Sequence, residues 1–257
     1  MNPPLSLESI LAAAVFLGLR ISGLVLFAPG LSNSAVPARA KAALVVFCVV
    51  LLWPVVPIPH LALSTVGWTA IAMNELLIGV TIGLLLSLIF DAAEFAGQML
   101  GMQMGFSLAT MIDPQSQADS PVLAVFQQTI VMLIFFALDV HHWVLRALVS
   151  SFYYLPAGSV FLTAVRVSFL MHAAAAIWVL GLQIAAPALI ATVVADFVLA
   201  FIGKASPQLP VLFVGLPVKS VLGMLISIAT MAAWPHFFSI HFAEAIRWSE
   251  FALHLSN

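Results

Sequence analysis

The chain is short of charge and of cysteine. Lys, Arg, Asp and Glu make up 7% of its 257 residues, against about 25% in an ordinary soluble domain, which excludes a water-soluble globular fold. Only eight residues are Lys or Arg and the formal net charge is −2. Phosphate neutralisation needs clustered cations, so nucleic acid is excluded as a partner. The single cysteine, Cys48, lies in an apolar run, which rules out an intrachain disulfide framework and cysteine-based metal or redox motifs. The first residues, MNPPLSLESILAAAVF, carry Glu8 and no Lys or Arg. They lack the basic start of a cleaved secretory signal, and the segment is expected to be retained. Catalytic patterns are missing as well. No Ser/Lys pair, G-x-S-x-G, Walker or G-x-G-x-x-G arrangement stands in a supporting context, so neither an enzyme activity nor a cofactor is expected. His141 and His142 are adjacent and should point different ways on a helix, and His236, His241 and Glu244 fall short of a zinc-binding spacing; no metal is expected.

What is present is apolar. Hydrophobic residues account for 63% of the chain and the mean hydropathy is +1.18, the composition of an integral membrane protein. The expected fold class is all-α, a polytopic membrane protein forming one helical domain over residues 1–257 and bathed at least partly in lipid. A span takes about 20 residues, leaving room for roughly six to eight. Apolar runs occupy Ile10 to Ala28, Ala42 to Ile58, Trp68 to Phe90, Pro121 to Leu138, Ser168 to Ile202 and Ser220 to Trp234. The 168–202 run is too long for one straight span and contains Pro187, which suits two half-helices or one long kinked helix. Asp139 to Arg166 reads as interfacial, and the segment from Pro235 onward as an amphipathic surface helix. If every run crosses once, Arg39, Lys41, Lys204 and Lys219 face one side and Arg146, Arg166 and Arg247 the other. Such a count sets no orientation. Either the spans are miscounted or some hydrophobic helices are covered by protein instead of lipid.

The most unusual stretch is Gly97 to Leu123, GQMLGMQMGFSLATMIDPQSQADSPVL. Gly97, Gly101 and Gly105 recur every four residues and predict a bare helical stripe that another backbone can approach. Met99, Met102, Met104 and Met111 crowd the same region, and thioethers deform readily around an irregular surface. Asp113-Pro114 then breaks the helix, and residues 115–120 are too polar for hydrocarbon unless protein or a water-filled cavity surrounds them. This succession suits a constriction that seals and then admits something wide. Gly79 and Gly83, also four apart, predict a second close helix contact.

Three ionisable residues interrupt apolar runs: Arg20, Glu75 and Asp196. Each costs roughly 2.5–3.5 kcal/mol at a helix centre on insertion scales. They are expected to form ion pairs or helix-end contacts facing partner helices; a proton or ion relay would want several acids along one face.

Met102-Gln103-Met104-Gly105-Phe106-Ser107-Leu108-Ala109-Thr110, followed by Asp113-Pro114, Ser116 and Pro121-Val122-Leu123, resembles the signature of the FliR family, the flagellar branch of the export-gate proteins of type III secretion. A second block, Ala205-Ser206-Pro207-Gln208-Leu209 with Phe213, Gly215, Pro217 and Gly223, is similar to that family's Pro-Gln motif. Further matches are Arg20 with Pro29, Pro37 to Lys41, Glu75 with Gly79 and Gly83, and Ser151-Phe152 with Leu155-Pro156. Val140 departs from the pattern, standing where a glycine is common. Pro210 departs too, where a polar or small residue is usual.

The resemblance implies a subunit of the flagellar protein export gate in the bacterial inner membrane, at the basal body and partly raised toward the periplasm. Its implied partners are the flagellar P and Q gate proteins, the flagellar B and A membrane proteins, and unfolded export substrates. It also implies a pore plug over about residues 106–120, involving Met102, Met104, Gly105, Phe106, Met111, Asp113, Pro114 and Ser116. Gly97, Gly101, Gly79 and Gly83 are expected to pack helices. The Pro-Gln loop, about residues 203–219 with Pro207, Gln208, Gly215 and Pro217, is expected to dock a neighbouring subunit. An injectisome homologue shares this plan. The rival from another class is an ion-coupled small-solute transporter using Glu75, Asp196 and Arg20 near the midplane, although no inverted repeat is visible.

Overall fold

The computed structural model describes residues 7–32, 36–53, 65–106, 122–156, 164–206, 208 and 211–254. Among them lie eight α-helices, one short 3₁₀ turn and no strand. The helices are α1 (Leu7–Phe27), α2 (Ala38–Leu52), α3 (Thr65–Gln103), α4 (Val122–Ala137), α5 (Val140–Tyr154), α6 (Ala164–Ala205), α7 (Val211–Thr230) and α8 (Trp234–His254). The 3₁₀ turn Met231–Ala233 joins α7 to α8.

The expectation of six to eight spans is corrected here. Among the described residues, three helical stretches are long and apolar enough to cross a membrane, Gly67–Gln103, Val167–Ala205 and Phe213–Leu253, or up to four if α4 and α5 form one broken span. The reason is local. No proline lies between Pro59 and Pro114, so the run at 68–90 and the glycine stretch after it fuse into one 39-residue helix, about 58 Å long. α6 is likewise one element of 42 residues with Pro187 inside it, which decides between the two readings of that run. Ala185 and Ala188 beside the proline are buried, and packing offsets the lost backbone bond. The C-terminal segment is no separate surface helix either, because it continues α7 into a single 41-residue stretch. On α8 the residues Phe238, Phe242, Ala245, Ser249 and Ala252 are buried, a stripe at helical spacing. Segment 139–166, read as interfacial, contains a regular helix with Val140, Val144, Ala147, Leu148, Ser151 and Phe152 buried.

Contacts divide the chain into two compact units. The first comprises Met1–Leu88, Asp139–Ala174 and His241–Asn257. In it α1 and α2 form a hairpin, with Gly18 at ordinary contact distance from Val49 and the Lys41 Nζ donating to the Ser32 carbonyl. Phe16 stacks on Trp68 at 5.1 Å beside buried Ala12 and Ile71. Phe169 meets Phe251 at 5.5 Å. The second unit comprises Ile89–Leu138 and Ala175–Ile240. Its core joins α3 to α4 through Phe90 and Phe135, edge to face at 5.7 Å. It joins α3 to α6 through Phe95 and Trp178, edge to face at 4.6 Å. α3, α6 and α8 each run unbroken from one unit into the other.

Candidate functional site at the end of α3

Glycine ends α3. Gly105 has φ 84, a left-handed conformation in which a Cβ is strained. The Gly105 amide donates to the Met102 carbonyl at 3.1 Å and the Phe106 amide to the Gly101 carbonyl at 2.9 Å, the paired bonds of a Schellman cap. The expected glycine stripe is therefore shorter than the spacing implied. Gly97 and Gly101 lie in the helix, and Gly105 terminates it. Gly105→Ala is expected to weaken this cap by about 1–2 kcal/mol, read as roughly ten-fold faster hydrogen exchange at the Gly105 and Phe106 amides.

Two methionines of the motif part company. Met102 is 63% exposed, whereas Met104 is 1% exposed. The Met104 side chain lies over Gly223 of α7, where any Cβ would collide with its thioether. The Ser220 Oγ donates to the Met104 carbonyl at 2.8 Å. One residue earlier, the Gln103 Nε2 donates to Asp196 Oδ2 of α6 at 2.9 Å, and Lys219 Nζ of α7 lies 2.8 Å from Asp196 Oδ1 and donates to Oδ2 at 2.9 Å. One carboxylate thus ties together three helices. Gly215 packs α7 onto α6, facing Leu199, and Pro217 lies within α7. The two motif blocks meet at this node through residues more than a hundred positions apart, Met104 with Ser220 and Gly223. Phe106 emerges from it about half exposed. Gln208 is exposed in a turn. Met111, Asp113, Pro114, Ser116 and Pro207 lie outside the described residues.

Gly97 is seated against α4, where a Cβ would strike the Ala124 backbone. In the first unit Gly79 and Gly83 face α1 in the same way. A Cβ on Gly79 would meet the Arg20 carbonyl and the Leu24 amide, one on Gly83 the Leu24 carbonyl, and Gly23 of α1 returns the contact to Leu76 and Val80. Backbone-to-backbone packing of this kind needs small residues on both faces.

That close approach brings two charges together. Arg20 and Glu75 are both buried, and the Arg20 Nε donates to Glu75 Oε2 at 2.6 Å. The remaining guanidinium nitrogens donate to Ser151 Oγ and to the Leu155 carbonyl, each at 3.0 Å. Its carbon sits 3.8 Å from the Phe152 ring centroid, a cation–π geometry. Arg20 thereby joins α1, α3 and the C-terminal end of α5.

Asp139 is the one positive-φ residue other than glycine among the described residues, and the turn it makes leaves Val140 buried at the start of α5. This accommodates valine where the family pattern favours glycine. The expectation that His141 and His142 diverge is corrected. Their rings lie 4.1 Å apart, and their nitrogens approach the Asp139 carboxylate at 3.9 and 3.6 Å. Asp139 and His142 are exposed. His241 pairs with Glu244 at 3.0 Å along α8.

Sequence reasoning missed Gln103, Lys219 and Ser220 as members of the node. Gln103 stood inside the quoted motif and Lys219 at the edge of the second block, but no local pattern says that they share Asp196.

Long apolar helices whose interrupting charges are satisfied within the chain define a multi-pass, all-helical membrane protein. The chain belongs to the bacterial export proteins, family 1, whose sequence model matches residues 11–245. It is similar to the flagellar biosynthetic protein FliR of Escherichia coli, 30% identical over 83% of this chain and 82% of that protein. It is also similar to FliR of Pectobacterium carotovorum, 31% identical over 80% and 79%, and to FliR of Bacillus subtilis, 27% identical over 88% and 89%.

Proposed function

We propose that the chain is a subunit of the flagellar type III protein export gate in the bacterial inner membrane, assembled with the flagellar P and Q gate proteins beside the flagellar B and A membrane proteins. In this reading it forms part of the conduit for unfolded flagellar substrates and itself performs no reaction. A single membrane domain, with α3, α6 and α8 running through both units, belongs to the same proposal.

The observation that carries it is the apolar length of α6. Exposed apolar side chains run along it from Val167 through Trp178, Ile190 and Phe197 to Ile202, a distance of about 52 Å. Even at a 40° tilt that is about 40 Å of membrane normal, against about 30 Å of hydrocarbon. Lipid alone leaves part of this surface in water, so protein neighbours must cover it. In an apolar 18-residue portion of each stretch, only 22% is buried within the chain for Val167–Ala205 and 17% for Phe213–Leu253, against 67% for Gly67–Gln103. The same excess length supports a partly raised position in a hetero-oligomer. The flagellar names of the relatives favour the flagellar over the injectisome system.

Residues 106–120 are the plug in this proposal, and the node at Gln103, Met104, Asp196 and Lys219 is the stem from which it leaves. Gln208, exposed beyond α6, is the candidate docking contact. Deleting Ala109 to Gln117 is expected to leave the yield of complex with the P and Q partners unchanged and to make potassium-loaded vesicles containing that complex leak. A complex that forms and stays tight would overturn the plug.

A further inference from the structure

We infer that Asp139, His141 and His142 form a binding site for a divalent transition metal of the Zn²⁺ type, independent of the export reading above. One ligand atom from each side chain, a carboxylate oxygen and two imidazole nitrogens, lies within 4.8 Å of the other two. Asp139 Oδ1 is 3.9 Å from His141 Nε2 and 3.6 Å from His142 Nδ1. These gaps are too long for hydrogen bonds. They suit an ion placed between the groups, because metal bonds of about 2.0–2.2 Å in a tetrahedral shell set neighbouring ligand atoms about 3.3–3.5 Å apart. The carboxylate is thus within about 0.5 Å of its required distance from either imidazole.

The turn builds this convergence. Asp139 holds a left-handed φ of 54 at the N-cap of α5, and the His142 amide donates to its carbonyl at 3.0 Å. Val140, between the ligands, is buried and anchors the turn, while Asp139 and His142 are exposed. Adjacent residues on a regular helix diverge by about 100°, but at this helix entry the two rings lie 4.1 Å apart, tilted by 38°. The expectation that no metal binds rested on their divergence. Two imidazoles and one carboxylate select Zn²⁺ and its transition-metal neighbours over Mg²⁺ and Ca²⁺, which take oxygen ligands. Three protein ligands leave a fourth position, which water fills. The partial positive charge of the first turn of α5 opposes a cation, and the Asp139 carboxylate offsets it. The ion clamps the entry of α5, whose other end holds the Arg20 guanidinium through Ser151 and Leu155.

The test uses the full chain, purified in detergent with the subunits that accompany it, stripped by a chelator and titrated with ZnCl₂ against a chromophoric chelator. Wild type is expected to take up one Zn²⁺ that His142→Ala and Asp139→Asn bind at least about ten-fold more weakly, the scale at which even the outer partners of a metal ligand count. His142 is exposed and asparagine tolerates the left-handed conformation, so neither variant threatens the fold. Co²⁺ in place of Zn²⁺ should give wild type a visible absorption band that both variants lose. Saturating Zn²⁺ should raise the unfolding temperature of wild type and not of His142→Ala, since an ion bound to the folded state stabilises it. His241→Ala, which removes the histidine paired with Glu244 on α8, is the control and should bind as wild type does. Wild-type affinity in His142→Ala or in Asp139→Asn overturns the site, and so does loss of binding in His241→Ala.

Discussion

Arg20→Leu is expected to destabilise the first unit by about 3–5 kcal/mol, because it leaves the Glu75 carboxylate buried without its counter-charge. The loss extends beyond one ion pair. The Arg20 guanidinium also supplies the donors to Ser151 Oγ and the Leu155 carbonyl, so the last turn of α5 loses its tie to α1. Arg20→Lys should fall between wild type and Leu, since an ammonium carries the charge but cannot span three acceptors in a planar fork. Replacing both partners, Arg20→Met with Glu75→Leu, should recover much of the loss, as an apolar pair of similar volume incurs no desolvation cost. Thermal unfolding of the detergent-solubilised complex measures the three variants against wild type. If the double substitution is as unstable as Arg20→Leu alone, the buried carboxylate is not the source of the damage.

Gly79→Leu is expected to prevent α1 and α3 from packing at all, and Gly79→Ala to cost about 1–3 kcal/mol. The obstacle to any side chain at Gly79 is backbone, the Arg20 carbonyl and the Leu24 amide, and backbone within a helix cannot step aside. The helices must separate, and separation stretches the Arg20–Glu75 contact that the close approach allows. The two substitutions therefore couple: Gly79→Ala combined with Arg20→Leu should lose less than the sum of the singles. Gly215→Ala is the contrasting control. Its Cβ would meet only Leu199 Cδ1, at 3.0 Å, the far end of a flexible side chain, so its effect on complex yield and unfolding temperature should be small. Equal damage from Gly79→Ala and Gly215→Ala would remove the argument from backbone contact.

These two sites show how unevenly the chain's pattern reads. Gly79 and Gly83 advertise a helix contact by spacing alone, because a missing Cβ every four residues has few other uses in an apolar helix. Arg20 and Glu75 advertise themselves by cost. Their meeting, 55 positions apart, and the further bonds of Arg20 to residues 131 and 135 positions away, follow from which helices cross. Gly105 misleads for a related reason. Its four-residue spacing from Gly101 fits a stripe, but its own φ of 84 depends on where the helix stops, and a period cannot announce its last member.

Membrane class, helical content and family likeness follow from composition, apolar runs and quoted motifs, all properties of short windows of sequence. Hydrophobicity and backbone bonding in a helix act over a few residues, and such windows capture them. Tertiary structure alone decided that Met104 is buried while Met102 is not, and that Asp196 serves both Gln103 and Lys219. Those outcomes depend on contacts between distant parts of the chain, where the energy of each side chain is set by a neighbour that its own surroundings in sequence do not name.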